Sequence, residues 1–319
     1  MEYRPLHEVE SKTATDFWNA HLSQSFPMTE RLWEQNTKKN KNLLRHGSMA
    51  LYEKERIIGF VSVKVVHDPL TADMDQGAGS IQALLVDKEY RHRSIGSKLL
   101  AHAEKELFSC HISEIRLGRD VEHYFPGIPV EQTKTTEWFK KKGYIPQSIE
   151  TDLTKHVSDA NFYTLHNNEI EQIEFRVLTE KDLDALISFL RYSFPGRWHY
   201  EAELYRRSGG TGRDFMGLFV TGELKGFCRI NDGTFPIIPQ NIYWAPLLKG
   251  KAGGMGPLGI STDIRGSHMG LDLVKAAANE LIRRHMDHLV IDWTQLVTFY
   301  EKLGFKPWKS YVSMKKINT

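Results

Sequence analysis

Two short stretches of the chain combine an arginine, small residues and a following helical pattern, an arrangement suited to binding phosphate. They read Arg91-His92-Arg93-Ser94-Ile95-Gly96 and Arg265-Gly266-Ser267-His268-Met269-Gly270. Each stretch follows an apolar run and precedes apolar residues spaced four apart, which predicts a strand, a turn and an amphipathic helix. The first N–H groups of a helix have no partner within it, and the helix dipole adds positive charge there. Both turns are therefore predicted to bind an anion.

A second pair of stretches places an aromatic residue near the end of a short helix that a glycine closes. In the second half the stretch is Phe299-Tyr300-Glu301-Lys302-Leu303-Gly304-Phe305, and in the first half it is Trp138-Phe139-Lys140-Lys141-Lys142-Gly143-Tyr144. Aligned on the glycine, Tyr300 and Phe139 occupy the same position. A phenol can donate a proton to a leaving group, whereas a phenylalanine ring cannot. The two halves therefore differ in proton-donating ability at this position.

The elements around these stretches occur twice in the same order, which indicates an internal repeat. Each half contains a helix followed by Ser-Phe-Pro, a hairpin with Gly-Phe in its second arm, and then the strand, turn and helix. A further strand, the aromatic motif and a final strand complete each half. Residues 155–171 are polar and rich in Asn, His and Asp, which predicts a linker. We expect domains at residues 1–160 and 172–319, and the length of 319 residues agrees with two domains.

Taken together, these motifs resemble the GNAT superfamily of N-acetyltransferases. The two turns are similar to its R-x-x-G-x-G/A pyrophosphate loop, with His268 and Ser94 in place of the first glycine. FYEKLGF is similar to the superfamily's last motif, in which a tyrosine faces the thiol of coenzyme A. The resemblance implies an α/β (α+β) fold with two GNAT-like domains, each a mixed, mainly antiparallel splayed sheet flanked by helices. In the second half it implies that acetyl-CoA binds Leu258, Gly259, Ile260, Arg265, Gly266, Ser267, His268, Met269, Gly270 and Leu271. In the first half the corresponding residues are Leu85, Val86, Arg91, Arg93, Ser94, Ile95, Gly96 and Ser97.

The same resemblance implies an N-acetyltransferase that moves an acetyl group from acetyl-CoA to a primary amine of a small molecule or peptide. Tyr300 would protonate the departing thiolate, and a backbone N–H of Leu258–Ser261 would stabilise the thioester oxygen. Asp292 is the nearest candidate for a general base, and water remains an equal alternative. A weaker candidate set for the first half comprises Asp120, His123 and Tyr124. The alternative function is a non-catalytic acyl-CoA-binding or sensor protein with degenerate loops.

Composition narrows the class of protein further. Lys and Arg total 42 against 40 Asp and Glu, so we expect neither a nucleic-acid nor a membrane partner. The two cysteines, Cys110 and Cys228, lie far apart, which favours a reducing compartment over a disulfide framework. The histidines show no metal-ligand spacing, so we expect no metal. The start of the chain has no apolar signal segment, and we expect a cytoplasmic protein. The oligomeric state and the acceptor amine stay open.

Overall fold

The computed structural model describes residues 1–68, 74, 77–158, 162–166, 172–266 and 268–318. The chain forms two compact units. The first contains most of the chain up to Glu150 together with the segment from Lys309 onward, and the second contains the chain from Thr151 to Trp308. These units do not follow the linear division at residues 160 and 172. Most of the last strand of the chain belongs to the first unit, and the second unit already begins at Thr151. That linear division stays a prediction.

The first unit is built on a mixed sheet. Its strands are β1 (Glu2–Pro5), β2 (Met49–Glu53), β3 (Arg56–Val65), β4 (Ala78–Val86), β5 (Glu114–Leu117) and the short β6 (Ile128–Pro129). Its helices are α1 (Ser11–Leu22), α2 (Glu30–Trp33), which continues as a π-helical turn over Glu34–Lys38, α3 (Ile95–Ser109) and α4 (Thr133–Lys140). The strands from β1 to β5 pair in sequence order, all antiparallel except the parallel pair of β4 and β5.

The second unit repeats this plan. Strand β7 (Ile145–His156) enters it at Thr151. The strands that follow are β8 (Ile173–Val177), β9 (Phe215–Val220), β10 (Glu223–Asn231), β11 (Ala252–Ile260) and β12 (His288–Thr294). The helices are α5 (Leu183–Ser193), α6 (Arg197–Arg207), α7 (Met269–Arg283) and α8 (Val297–Glu301). The sheet order is β7-β12-β11-β10-β9-β8, and only β11 and β12 run parallel in this set.

The strand that ends each half pairs in the other half's unit. Residues of β7 pair antiparallel with β12, where His156 lies opposite His288. The last strand of the chain, β13 (Lys306–Ile317), pairs antiparallel with β5, where Lys315 lies opposite Arg116. The sequence repeat suggests instead that each half keeps its own final strand. Every strand offers the same backbone hydrogen-bonding groups. The final strand of a half can therefore pair in either sheet, and its apolar residues do not show which sheet it joins.

Helices cover both faces of the second sheet because its apolar side chains alternate along the strands. Met216, Leu218 and Ile230 pack with α7 in one core cluster. Phe215, Phe219 and Phe227 point the other way and pack with α5 and α6 in a second cluster. The sheet order and these layers confirm the predicted mixed α/β fold.

In both units the parallel pair of strands separates at its carboxyl end. Strand β11 pairs with β12 only over Ala252–Met255, yet it continues to Ile260. Strand β4 pairs with β5 over Ala78–Ile81 and continues to Val86. Just beyond the paired part, a bulge adds one residue to β4 and to β11, opposite β3 and β10 respectively. Each unit therefore opens a cleft between its two parallel strands.

Candidate active site

The second anion-binding turn lies directly after β11 and starts α7. Arg265, Gly266 and His268 are exposed, and Met269 is buried at the start of the helix. Ser267 lies outside the described residues. Gly270 faces the end of β11, because a Cβ atom placed there would lie 3.4 Å from Ile260 Cδ1. A larger side chain would fill the space between the first turn of the helix and the strand.

His268 occupies the position where the resemblance suggests glycine, and its backbone does not require one. Its φ is −67°, in the right-handed helical region. The His268 ring stacks on the ring of His166, with ring centroids 4.6 Å apart. His166 Nδ1 in turn lies 2.9 Å from a carboxylate oxygen of the fully buried Asp272 on α7. The substitution therefore adds a packing contact at the start of the helix.

The first turn has a different backbone conformation. Ser94 has a φ of 62°, in the left-handed region that favours glycine. His92, two residues earlier, lies in the same region with a φ of 63°. Arg91 Nε donates a hydrogen bond to the backbone oxygen of Val86, at 3.1 Å. Arg93 lies over the ring of Tyr90. The turn is exposed at its arginines and at Ser94.

The remaining predicted residues of the first half lie close to this turn. Leu85 and Val86 end β4 and are buried, and Ile95 is buried at the start of α3. Gly96 and Ser97 follow in the first turn of that helix. A Cβ atom on Gly96 would lie 3.7 Å from the Trp138 ring and 3.7 Å from Val86. The strand end, the turn and α4 therefore meet around this glycine.

The backbone of β11 presents N–H groups to the cleft of the second unit. Ser261 N donates to the oxygen of Lys225 at 2.7 Å, so it faces β10. The N–H direction alternates along a strand, which places the N–H of Gly259 on the same side. The N–H groups of Leu258 and Ile260 consequently point to the opposite side, where β12 no longer pairs. Of the predicted segment, Leu258 and Ile260 are suitably oriented as donors and Ser261 is not.

Tyr300 lies on α8 and is buried beside the same cleft. It packs in the core cluster that contains α7 and Met255 of β11, and the Phe299 ring lies edge-on to its ring at 5.0 Å. Burial raises the pKa of the Tyr300 phenol, and negative charge on Cys228 and Asp292 raises this pKa further. The hydroxyl therefore stays protonated and able to donate throughout the physiological pH range.

Asp292 has the electrostatic properties of a general base. It stands near the end of β12, one residue past the paired segment, and is half-buried. Burial raises the pKa of its carboxyl to about 7, with further contributions from Asp152 and Glu201 and an opposing one from Arg197. A carboxylate that ionises near neutral pH accepts a proton more readily than an ordinary aspartate does.

A polar cluster surrounds Asp292. The guanidinium of Arg197 lies 4.1 Å from the centroid of the Trp293 ring and 3.6 Å from Glu201. Gln240 donates to Glu201 at 3.1 Å, and Trp293 N donates to Asp152 Oδ1 at 3.0 Å. Arg197 and Glu201 are not predicted as site residues from the sequence, because helix α6 reads RWHYEAELYRR and has the composition of a solvated helix. The signal in the sequence is a pair of glutamates, Glu201 and Glu203, that lies between the aromatic residues Tyr200 and Tyr205.

The cleft of the first unit is apolar by contrast. A cavity of about 120 Å³ lies there, and Phe139 is part of its wall. The described residues that line it include no acidic side chain, and they comprise Trp18, Leu22, Phe26, Ile81, Gln82, Ala83, Leu84, Leu85, Leu117, Gly118, Phe125, Gly127, Ile128, Pro129, Gln132 and Phe139. This wall offers no group to accept a proton from an amine.

The weaker candidate set for the first site is engaged elsewhere in that unit. Asp120 forms an ion pair of 2.9 Å with Lys64, and both side chains are almost fully buried. The Tyr124 hydroxyl bonds to Thr37 at 2.9 Å, and His123 is buried with Nδ1 3.2 Å from the backbone oxygen of Asp120. Asp120 and Tyr124 therefore belong to a buried polar network, and their role in the first site stays a prediction.

The described part of the chain offers neither a metal-binding cluster nor a membrane-spanning helix. No group of three His, Cys, Asp or Glu side chains in that part could hold a metal ion. Within the same residues, no helix is long and apolar enough to cross a membrane.

Comparison with known proteins agrees with this geometry. The model of the acetyltransferase (GNAT) family matches residues 6–125. A GCN5-related glucosamine N-acetyltransferase region of a fungal multi-domain GH3 beta-N-acetylglucosaminidase superposes with a TM-score of 0.82 at 21% identity, covering 98% of this chain and 38% of that one. This chain thus spans well under half the length of that fungal protein. No curated protein matches the sequence.

Two other solved structures extend the comparison. A tandem GNAT protein from the clavulanic acid biosynthesis pathway has a TM-score of 0.67 at 14% identity, covering 99% of this chain and 98% of that one. The N-myristoyltransferase of Saccharomyces cerevisiae, with bound myristoyl-CoA, has a TM-score of 0.60 at 11% identity, covering 99% and 78%. These likenesses show the fold.

The splayed mixed sheets, with a turn and a helix after the fourth strand of each repeat, have the fold of GNAT proteins. The family model places residues 6–125 in the acetyltransferase (GNAT) family, and the whole chain shares the fold of a tandem GNAT protein. These matches agree with the predicted family and enzyme class.

Proposed function

We propose that the protein transfers the acetyl group of acetyl-CoA to a primary amine of a small polar molecule, and that the second unit performs the chemistry. The observation that carries this proposal is the combination of Tyr300 and Asp292 at one cleft. A buried phenol stays protonated there, and a carboxylate with a pKa raised to about 7 stands close enough to act on it electrostatically. The first unit has Phe139 and an apolar wall at the corresponding place.

The residues present fit acetyl-CoA as a substrate. The first N–H groups of α7, at Met269 and Gly270, have no partner within the helix, and the start of the helix and Arg265 offer positive charge to the diphosphate. Gly270 leaves the first turn of α7 uncovered toward β11. The N–H groups of Leu258 and Ile260 point into the cleft, where they would donate to the thioester oxygen as it gains negative charge. When bound, acetyl-CoA supplies an activated acetyl group.

Each proton in the proposed reaction has a place to go. The acceptor first releases its ammonium proton to solvent, and the neutral amine nitrogen then forms a bond to the acetyl carbon while the carbon–sulfur bond breaks. Asp292 takes the proton from nitrogen, and the Tyr300 hydroxyl gives one to sulfur. Water then returns a proton from Asp292 to Tyr300, so the enzyme ends as it began. Positioned acids and bases of this kind contribute roughly 10²–10⁴-fold each to rate.

The polar cluster favours a hydrophilic, positively charged acceptor. Asp152, Glu201 and Asp292 carry three negative charges when ionised, against two positive charges on Arg197 and Arg229, and the Trp293 ring lies beside them. An ammonium group is attracted to such a site, and an aromatic ring can pack against the apolar face of a sugar or a similar ring. An amino sugar is accordingly the first acceptor to test, and the fungal structure carries that activity in its name.

A thiol-release assay tests the proposal. Purified protein is incubated with acetyl-CoA and a panel containing glucosamine, polyamines, aminoglycosides and peptides, and free thiol is measured. Turnover that requires one class of amine, and that Gly270→Val abolishes while Gly96→Val spares it, is the expected result. Binding of acetyl-CoA without turnover on any amine would favour the alternative, a non-catalytic acyl-CoA-binding or sensor protein.

Acetylation of proteins and small molecules in cell extract, followed by mass spectrometry, extends the panel to acceptors that were not supplied. If Gly96→Val removes turnover and Gly270→Val does not, the chemistry belongs to the first unit and the assignment of the second unit is wrong.

A further inference from the structure

The exchanged strand β7 brings one buried carboxylate to the second site. Asp152 lies two residues inside the second unit and its side chain is only 6% exposed. Its Oδ1 accepts a hydrogen bond of 3.0 Å from the backbone N–H of Trp293. The pairing of β7 with β12 shifts register between Ile291 and Thr294, so the strand is irregular where this bond forms. A residue of the first half's last strand thus contacts the backbone beside Asp292.

The backbone at Trp293 needs such support. Its φ is 46°, a left-handed conformation that a bulky side chain seldom adopts and that is found where surrounding contacts compensate. The ring also packs under the Arg197 guanidinium. The matching place in the first unit is Arg119, with a φ of 62°, whose Nη1 donates to Ser313 Oγ at 2.8 Å. In both units, then, a side chain from the exchanged strand contacts the residue that carries this turn.

The groups that face Asp292 come from several elements. Asp152 faces it from β7, Arg197 and Glu201 from α6, and Tyr300 from α8, where Cys228 of β10 is also near. Arg197 is shared with Glu201 and Trp293. Asp152 is therefore a like charge that opposes ionisation of Asp292, and Arg197 partly offsets it, while Arg229 of β10 lies 3.9 Å from Glu201.

We propose that Asp152 is a positioning residue of the second site, which holds the Trp293 turn by its hydrogen bond and acts by its charge on the neighbouring carboxyl of Asp292. The catalytic part of this inference rests on the proposed function, in which Asp292 is the base. The hydrogen bond to Trp293 and the charge effect on Asp292 do not depend on turnover, so each can be measured in the absence of a reaction. Because Asp152 belongs to the strand that ends the first half, the second site is incomplete without that half.

Substitutions at Asp152 separate the two roles. Asp152→Asn removes the charge and keeps an oxygen that can accept from Trp293 N–H. Asp152→Ala removes both the charge and the acceptor. Asp152→Ser copies the residue found at position 313 and provides a second neutral variant should the asparagine variant fold poorly. Asp184→Asn is the matched control, because it removes an aspartate charge from a side chain that is 94% exposed in the same unit.

The direct measurement is a pH titration of the Asp292 carboxyl by nuclear magnetic resonance, in full-length protein with 13C-labelled aspartate. The Asp292 resonance is identified by its loss in Asp292→Asn. We expect its midpoint to fall by roughly 1 unit or more in the asparagine, serine and alanine variants, as removal of a nearby like charge implies. The control should keep the wild-type midpoint. An unchanged midpoint in all three Asp152 variants would overturn the electrostatic role.

Kinetics then tests the hydrogen bond. In Asp152→Asn, kcat/KM should rise at lower pH than in the wild type and reach a similar plateau. In Asp152→Ala the plateau should also fall, by roughly 10- to 100-fold, because the Trp293 turn loses its acceptor and moves. Equal plateaus in the asparagine and alanine variants would overturn the holding role. A protein with no transferase activity contradicts the proposed function instead, and the carboxyl titration still decides the charge effect.

Discussion

Arg119 and Trp293 have the same left-handed backbone at matching places in the two units. Each lies two residues past the last parallel pair of its sheet, which is Ile81 with Leu117 in one unit and Met255 with Ile291 in the other. Their side chains differ in kind. Arg119 pairs with Glu150 at 3.2 Å, whereas Trp293 lies against Arg197 within the polar cluster. The same backbone therefore supports an ion pair in the first unit and the candidate reaction site in the second.

Substitution of Tyr300 tests the proposed acid. Tyr300→Phe keeps the ring that packs in the core and deletes one hydroxyl, so the free energy of unfolding should hardly change. Turnover should fall by roughly 10²–10⁴-fold if the hydroxyl protonates the thiolate. The defect should shrink at high pH, where a thiolate with a pKa near ~8.5 leaves readily without an acid. Steady-state kinetics with acetyl-CoA and calorimetry of its binding are the measurements.

Phe139→Tyr is the matched control, because it introduces the same hydroxyl at the equivalent place in the first unit. It should not create activity in a protein whose second unit carries Tyr300→Phe, since the cavity there lacks an acidic wall. Wild-type turnover in Tyr300→Phe at every pH tested would identify Tyr300 as a packing residue.

Substitution of Gly270 tests the proposed diphosphate site. A Cβ atom at this position already lies 3.4 Å from Ile260, and the branched side chain of valine needs more room between α7 and β11. Gly270→Val should weaken acetyl-CoA binding at the second site at least tenfold, which corresponds to about 1.4 kcal/mol. Calorimetry at equal protein concentration measures it, with Gly270→Ala as a milder step. Unchanged affinity with the fold intact removes this turn from the site.

The raised pKa of Asp292 predicts how activity depends on pH. The carboxylate accepts a proton only when it is ionised, so kcat/KM should rise as pH increases through about 7. Asp292→Asn should lower kcat/KM by roughly 10²-fold or more and leave no rise centred there. Glu301→Gln, on the exposed side of α8, is a suitable control. If the wild-type and asparagine enzymes share one pH profile, the acceptor amine or water sets it.

The same pKa predicts a change in stability with pH. Because the folded pKa of Asp292 lies above the unfolded value of 3.8, the folded state holds its proton to higher pH. Ionisation of Asp292 therefore opposes folding, and its stabilising contribution, present below about pH 4, is lost as pH rises through 7. Asp292→Asn should match the wild type near pH 4 and exceed it above pH 8, on the order of a few kcal/mol at most. Denaturant titrations at both pH values measure this difference.

The exchanged strands predict how separated halves behave. A fragment of residues 1–166 lacks β13 and leaves the β5 edge of its sheet unpaired, and a fragment of residues 172–319 lacks β7 and Asp152. Neither fragment should unfold cooperatively, and neither should turn over acetyl-CoA. Circular dichroism, thermal melts and the thiol assay on each fragment check this. A stable, active second fragment would show that β7 is dispensable.

The local elements and the family were predictable from the sequence. Apolar spacing identified the strand, turn and helix units because a helix or strand must bury one face, and that need acts within a few residues. Arg265 to Gly270 and Tyr300 could be identified through the resemblance of their motifs to those of the GNAT superfamily. Asp292 was named as the nearest candidate for a base, although no pattern showed that its carboxyl would ionise near pH 7.

Only the tertiary structure decided which strand closes each sheet and which charges meet at Asp292. Strand pairing uses backbone groups that every residue has, so β7 and β13 carry the same local pattern whichever β-sheet they join. Asp152, Arg197 and Glu201 are distant in sequence from Asp292, and their effect on its proton depends on distance and burial. The sequence thus determined the repeat and the candidate acid, and folding determined the environment of the candidate base.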